Sequence, residues 1–433
     1  MQRGLARGAD QEGLGLDSLS LKFKGYCMPP VNENYTNPSR QPLQGTKVVD
    51  LTHAFAGPTC TLLLGDMGAD VIKVEPPTGD HFRLPLGGAT FINLNRNKRS
   101  LALNLKKMEG KEVVLKLASQ ADVFVENFVP GAMDRLGLGY DTIRHLNAGI
   151  IYCSISGFGQ TGPYRDRPAY DPIIQAMSGI MDGTGEPDRP PVRMLPSMID
   201  YGAGLNAALG IVASLLNRNR TGEGERIDIS LLDVAIASMH QYVTHYKRTG
   251  KLPQRAGSGT QQPSWAPYQN FATRDGLILI AVTSDAMWTN LCKTLVLKDL
   301  GMNPLYATVQ KRSENQEGLV LALNEVTRQY GSEELEAKLL EAGIPCSKVR
   351  NVGEMIQDPY VEFRQIIEDV NHPTMGNVST VKTPIFFSDK NFPTRRRAPL
   401  LGENTHEILR ELGYSDQGIQ DLIDRGIAFQ DQR

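Results

Sequence analysis

Apolar and polar positions follow two rhythms along this chain, and the two take turns. TKVVDLT (46–52) is a short apolar run between polar residues, the pattern of a buried strand. GPTCTLLLGDMGA (57–69) reads as a helix, with Pro58 near its first turn, where a missing N–H costs nothing. DVIKVEPP (70–77) is a second strand, closed by prolines. The alternation continues through a strand at 99–105, a helix at 110–121, a strand at 122–128, a helix at 140–148 and a strand at 149–159. Strands joined by helices pair in parallel through right-handed crossovers. The pattern therefore predicts an α/β fold with a doubly wound, Rossmann-like open sheet.

The rhythm changes after residue 217. NRNRTGEGERIDISLLDVAIASMHQYVTHYKRTG holds a turn, a strand and a helix, and RAGSGTQQPSWAPYQNF (255–271) is a loop rich in Gly, Ser, Gln and Pro. DGLILIAVTS opens a second α/β segment, and the tail TRRRAPLLGENTHEILRELGY is basic, proline-punctuated and then helical. Five parts are predicted. They are a flexible extension over 1–43, a large Rossmann-like domain over 44–235, a linker with a glycine-containing loop over 236–265, a small α/β domain over 266–365, and a C-terminal return to the large domain over 366–433. The extension is polar and aperiodic. Arg3 and Arg7 suit a mitochondrial presequence, whereas Asp10, Glu12 and Asp17 do not. A loose arm and a targeting segment both stand, as do a mitochondrial-matrix and a cytoplasmic location.

Composition narrows the function. A length of 433 residues suits two domains. The net charge of −2 gives no nucleic-acid footprint. No apolar run reaches the roughly 18 residues of a membrane span, and Leu205–Leu216 fits a buried helix instead. The five cysteines are dispersed without a CxxC pair, which predicts reduced thiols in an intracellular protein rather than a disulfide or zinc framework. The seven histidines form no HxxxH pair, so no metal is expected.

Three places carry candidate chemistry. The first β–α turn, HAFAGPTC, lacks the glycines of GxGxxG, so Glu75 at the end of the second strand has no dinucleotide site to complete. Arg96, Lys98, Arg99, Lys106 and Lys107, with Arg135, form a basic cluster. They are either a solvated face or a cradle for the phosphates of a nucleotide-like ligand, close to Asn127 and Phe128 at the carboxyl edge of the sheet. Asp200 stands before a long apolar run, and Asp is a favoured helix cap. Yet Gly202, Ala203 and Gly204 are small enough to admit a bulky ligand, and a helix start would keep the acid ionised. An ionised carboxylate attacks an acyl carbon without a base, whereas Ser or Cys would need a neighbouring His, and no GxSxG is present.

Seven segments in order make the resemblance specific: VVDLTHAFAGPTCTLLLGDMGADVIKVEPP, NRNKRSLALNLK, DVFVENFVPGAMDRLGLGY, IIYCSISGFGQTGPYRDRPAYDPIIQAMSG, IDYGAGLNAALGI, RTGEGERIDISLLD and RAPLLGENTHEIL. Over roughly 43–433 the chain resembles the class III CoA-transferases. The resemblance implies an interlocked homodimer and no tightly bound cofactor, with acyl-CoA and a small carboxylic or dicarboxylic acid as substrates. It implies Asp200 as the nucleophile, forming an aspartyl mixed anhydride and then an aspartyl-CoA thioester. CoA contacts are implied at His53, Ala54, Phe55, Ala56, Leu103, Lys106, Asn127, Phe128, Arg135, Arg167 and Tyr170. Gly257 and Gly259 match a mobile loop whose N–H groups would face a developing oxyanion, and the same stretch also reads as a plain linker. Gln262 stands where glutarate-directed relatives tend to have His. The same fold includes α-methylacyl-CoA racemases, which place a His where this chain has Tyr170. Tyrosine is a poor proton shuttle at neutral pH, which favours transfer over racemisation and leaves Asp171 a structural or site-shaping role. A non-catalytic CoA-binding protein is the third reading.

Overall fold

The computed structural model describes residues 41–84, 88–259, 265–387 and 392–431. The expectations for residues 1–40 and for Gln262 lie outside those residues. Six strands form the body of the main sheet: β1 (Lys47–Asp50), β2 (Asp70–Glu75), β3 (Lys98–Leu103), β4 (Val123–Glu126), β5 (Ile151–Ser156) and β6 (Glu225–Ser230). They pair in parallel throughout, in the spatial order β3-β2-β1-β4-β5-β6. This is the doubly wound sheet that the alternation predicts. The chain reverses its direction of winding between β1 and β4, and such a switch point opens a crevice at the carboxyl ends of the strands.

The crossovers carry α1 (Ala56–Asp66), α2 (Ala89–Asn95), α3 (Met108–Ala118), α4 (Ala132–Leu136), α5 (Tyr140–Leu146), α6 (Asp171–Met177) and α7 (Met198–Thr221), and α8 (Leu231–Ser238) follows β6. Period-two alternation sorts the strand side chains between two cores. Phe124 of β4 faces Val113 and Leu117 of α3 and Ile143 of α5. Its neighbours Val123 and Val125 face Leu64 of α1 and Ala207 and Ile211 of α7. Fully burying side chains of this size contributes about 1.5–3 kcal/mol each.

The second α/β segment is built on an antiparallel sheet, β7 (Tyr268–Ala272), β8 (Leu277–Ala281) and β9 (Cys346–Lys348). Phe271, Ile278 and Ile280 pack there on Trp288, Leu319 and Leu335 from its helices. A hairpin follows, β10 (Ile367–His372) with β11 (Gly376–Val381). The chain then returns, and β12 (Ala428–Phe429) runs antiparallel to β3 at the edge of the main sheet. No rhythm in the sequence marks so short a strand.

α7 is the longest helix among the described residues, at 24 residues, and by length and composition it is apolar enough to cross a membrane. Its stripe Ile199, Ala203, Ala207, Ile211 and Leu215 instead lies buried in the core against the sheet. Four-residue spacing keeps that stripe on one face. The small residues after Asp200 serve packing rather than ligand entry. A β-carbon on Gly204 would stand 2.6 Å from Thr59 Cβ and 2.8 Å from the Ala56 carbonyl oxygen, and one on Gly202 would stand 3.1 Å from Val234 Cγ1. Gly204 therefore lets α7 cross α1 at close range.

An exposed helical Gly→Ala change stabilises by up to about 1 kcal/mol. Gly204→Ala should reverse that sign and destabilise by about 1–3 kcal/mol through overpacking, read as a lower urea midpoint at unchanged slope. A midpoint at or above the wild-type value would show that the crossing is not tight.

Candidate active site

Asp50, the last residue of β1, is wholly buried and fixes the turn into α1. Its carboxylate accepts hydrogen bonds from the Thr52 amide (2.8 Å), the Thr52 and Thr61 hydroxyls (2.5 and 2.7 Å) and Lys98 Nζ (3.0 Å). Burial alone would raise its pKa. The Lys98 and Lys73 ammonium groups outweigh that, and Asp50 lies below the usual carboxylate value. Lys73, also wholly buried, donates to the Thr52 carbonyl (2.8 Å) and to Asp80 (3.1 Å). Across the switch point, Asn127 brackets His53, accepting from its amide at 2.9 Å and donating to its carbonyl at 2.8 Å. Between these anchors Ala54 adopts φ 65°, a left-handed conformation that a non-glycine residue takes at a cost of about 1–3 kcal/mol.

A cleft of about 710 Å³ opens beside this turn, at the carboxyl ends of β1 to β4. His53, Leu103, Lys106 and Phe128 line it, with Lys73, Asp80, His81 and the Pro76–Pro77 pair. The His53 ring meets Phe128 at 5.1 Å and His81 at 5.4 Å between centroids. Burial holds the His53 imidazole below its usual pKa, with Asp80 opposing and His81 adding to the shift. An apolar wall with a few fixed polar groups and one exposed cation, Lys106, suits an elongated ligand with an anionic end.

Asp200 lies on the other face of the sheet, in the first turn of α7. It is not the cap. Ser197 occupies the cap position without a side-chain bond, and Asp171 does the capping from α6. Asp171 Oδ2 accepts from the amides of Ile199 (2.8 Å) and Asp200 (3.2 Å), and its Oδ1 accepts from Gln175 Nε2 (2.5 Å). Gln175 in turn accepts from the Met194 amide (3.0 Å), which anchors the segment leading into α7. The Asp200 carboxyl is left partly buried, with no hydrogen bond from a described residue. Burial first and the Asp171 charge second push its pKa up to about 7. This corrects the expectation that the helix start keeps it ionised. Asp200 sits one turn before Gly204 on the same helix face, and Gly204 touches Ala56. The carboxyl therefore lies along α7 on the side of the β1–α1 turn.

A family model for CoA-transferase family III matches residues 43–405. The chain belongs to this family. It is 38% identical to the succinyl-CoA:glutarate CoA-transferase of Homo sapiens, over 90% of each chain. It is 37% identical to the succinyl-CoA:mesaconate CoA-transferase of Haloarcula marismortui, over 86% of this chain and 96% of that protein. Among solved structures, a CAIB/BAIF family protein from Brucella suis superposes with a TM-score of 0.78 at 38% identity, covering 86% of this chain and 99% of the other.

In this family III CoA-transferase the basic cluster does not converge on one ligand. Arg96 is buried against Asp66 (2.5 Å), Lys98 against Asp50, and Arg99 is bound by Asp70 (2.6 Å), Glu407 and Glu411. Lys106 and Lys107 remain exposed, and Lys106 reaches the cleft. Glu75 holds Arg83 with two hydrogen bonds of 2.6 and 2.8 Å and accepts from Ser100. Phe55 and Ala56 begin α1 just behind the left-handed Ala54. Arg135 is exposed beside the cleft residue Leu136. Arg167 and Tyr170 do not line the cleft: the Arg167 guanidinium lies 5.6 Å from the Tyr164 ring centroid, and Tyr170 is 71% exposed. The two loop glycines offer no free N–H groups, because Gly257 donates to the Gly185 carbonyl (3.0 Å) and Gly259 to that of Ala256 (2.8 Å). Sequence reasoning missed Lys73, His81 and the capping role of Asp171. The residues VEPPTGDHF after β2 were the available signal for His81.

The raised Asp200 pKa has a thermodynamic consequence. Between pH 3.8 and about 7 the folded chain keeps a proton that the unfolded chain has lost. Stability from this group is present below that window and is lost as pH rises through it. Asp200→Asn removes the titration. Its unfolding free energy, measured by urea titration at each pH, should therefore exceed that of the wild type by a margin that grows from about pH 4 to about pH 8, up to the order of a few kcal/mol. A margin independent of pH would show that the carboxyl is not perturbed.

Proposed function

We propose that this family III CoA-transferase moves CoA from succinyl-CoA to a small dicarboxylic acid, with Asp200 as the nucleophile. The single observation that carries the reading is Asp200 itself. It is a carboxyl without a hydrogen-bond partner among the described residues, raised to about 7 by burial and by Asp171, on the side of the β1–α1 turn. Perturbed groups of this kind cluster at functional sites. The names of the relatives, which couple succinyl-CoA to glutarate or to mesaconate, support the choice of donor and acceptor class.

The proposed steps balance without an external base. The ionised Asp200 oxygen attacks the thioester carbonyl, the C–S bond breaks, and CoA leaves as the thiolate. The thiolate then attacks the Asp200 carbonyl of the mixed anhydride, releasing succinate and forming an aspartyl-CoA thioester. The acceptor carboxylate attacks this thioester, the C–S bond breaks, and CoA leaves as the thiolate from a second mixed anhydride. The thiolate then attacks the acceptor's acyl carbon in that anhydride, forming acceptor-CoA and releasing the Asp200 carboxylate. Partial burial of Asp200 aids the attack, because an oxygen with few hydrogen bonds sheds little solvation on reacting.

The racemase reading gains no support, since Tyr170 projects into solvent at the position of the proton-shuttling His. We further propose a homodimer, as the resemblance implies. The outward face of α7 leaves Leu205, Leu209 and Leu216 exposed, and Ile236, Val243 and Tyr246 follow in the next helices. A patch of this kind marks an interaction surface.

Succinyl-CoA offered with a panel of dicarboxylates should give acceptor-CoA, and Asp200→Ala should lower kcat by at least about a thousandfold, the order expected for removing a nucleophile. Wild-type kcat/KM should rise tenfold per pH unit below about 7 and level off above it, because only the ionised form of Asp200 in the free enzyme attacks. Transfer by the Asp200→Ala protein, or a flat pH profile across neutrality, would rule this reading out.

A further inference from the structure

Two guanidinium groups meet over Gly131, the residue that starts α4 with φ 77°. A β-carbon at Gly131 would stand 3.2 Å from Arg135 Nη1 and 3.4 Å from Arg165 Nη2. Like charges held this close repel unless an anion lies between them. Among the described residues no carboxylate does so. Arg165 pairs with its neighbour Asp166 at 3.5 Å, on a side chain 84% exposed, an arrangement worth little. Arg135 has no ion pair with a described residue, and the pair with Asp166 belongs to Arg165, so no described residue neutralises Arg135.

The segment carrying Arg165 shows a second deficit. Ser156 Oγ and Gln160 Nε2 are buried without a hydrogen-bond partner among the described residues. Gln160 is held in place by its own backbone, which donates to Asp228 at 2.9 Å. Buried donors in a native chain have acceptors, so an unpaired one takes a water or a ligand. Arg167, by contrast, is occupied by the Phe158 and Tyr164 rings. Of the two arginines on this loop, only Arg165 reaches Arg135.

We propose that Arg165 and Arg135 together clamp a phosphate of the CoA thioester. The inference rests on the CoA-transferase reading above and adds Arg165 to it as a residue that selects the substrate. Two guanidinium groups match the charge of a phosphate dianion and bind it through paired N–H donors. Arg135 is adjacent in sequence to Leu136, which lines the cleft. In CoA the pyrophosphate and the 3′-phosphate lie at the end remote from the reacting sulfur.

The test uses the full-length chain and its Arg165→Ala and Arg165→Lys variants, with succinyl-CoA, its 3′-dephospho analogue and the succinyl-pantetheine thioester, which has neither phosphate group. Arg165→Ala should weaken CoA binding about 10- to 100-fold by calorimetry and raise KM to match. The factor should be much smaller on the pantetheine thioester, and Arg165→Lys should recover part of the loss. A factor that persists on dephospho-CoA assigns the clamp to the pyrophosphate, and one that vanishes there assigns it to the 3′-phosphate. Unchanged CoA affinity, or an equal loss on all three thioesters, overturns the clamp. A wild-type chain that binds CoA but transfers nothing would instead count against the proposed function.

Discussion

The Asp171 carboxylate decides what Asp200 is. Helix α7 begins with amides that need acceptors, and the nearest acid in sequence is Asp200. Asp171 arrives from α6 and takes the amides of Ile199 and Asp200 itself. The helix start is satisfied by a buried acid that is itself held by Gln175. Asp200 is thereby released from capping and left beside a like charge. The residue that frees the carboxyl also raises its pKa, so the structural and chemical roles of the pair are one arrangement.

Magnitudes explain why the sequence reading of Asp200 as an acid kept ionised by the helix start does not hold. The dipole of a helix start favours an ionised acid by about 0.3–1 kcal/mol. Withdrawing a carboxylate from water costs several kcal/mol. Burial wins, and a nearby carboxylate adds to it. Neither term is legible from the stretch around Asp200, because Asp171 lies 29 residues away and burial depends on α1 and α8.

The parallel sheet was legible because each strand is a short apolar run between helical periods, and one crossover rule orders the strands. The basic cluster was not. Arg96, Lys98 and Arg99 are neighbours in sequence, but their partners Asp66, Asp50 and Glu407 lie 30, 48 and 308 residues away. Charges that look free along the chain are neutralised one by one in the folded core. Lys106, three residues after the buried end of β3 at Leu103, stayed at the cleft because the chain leaves the sheet there. Gly204 was read as room for a ligand, and the room is filled by α1. The stretch DGLILIAVTS, which holds β8, was legible, but the antiparallel pairing of β7–β9 and the strand β12 were not, since strand direction is set by partners distant in sequence.

The cleft lies on one face of the sheet and Asp200 on the other, and the β1–α1 turn joins them. On the proposed reading, a CoA thioester in the cleft would reach Asp200 by passing that turn, whose backbone is heavily fixed. Asp50, Lys73 and Asn127 hold Leu51–Phe55 rigid enough to keep Ala54 left-handed. The account stands on a covalent acyl bond to one side chain. Mixing the chain with succinyl-CoA, quenching with hydroxylamine and mapping the peptides by mass spectrometry measures that bond directly. A hydroxamate on Asp200, formed only when donor is present, is the predicted result. Labelling elsewhere, or none while transfer proceeds, would contradict the account.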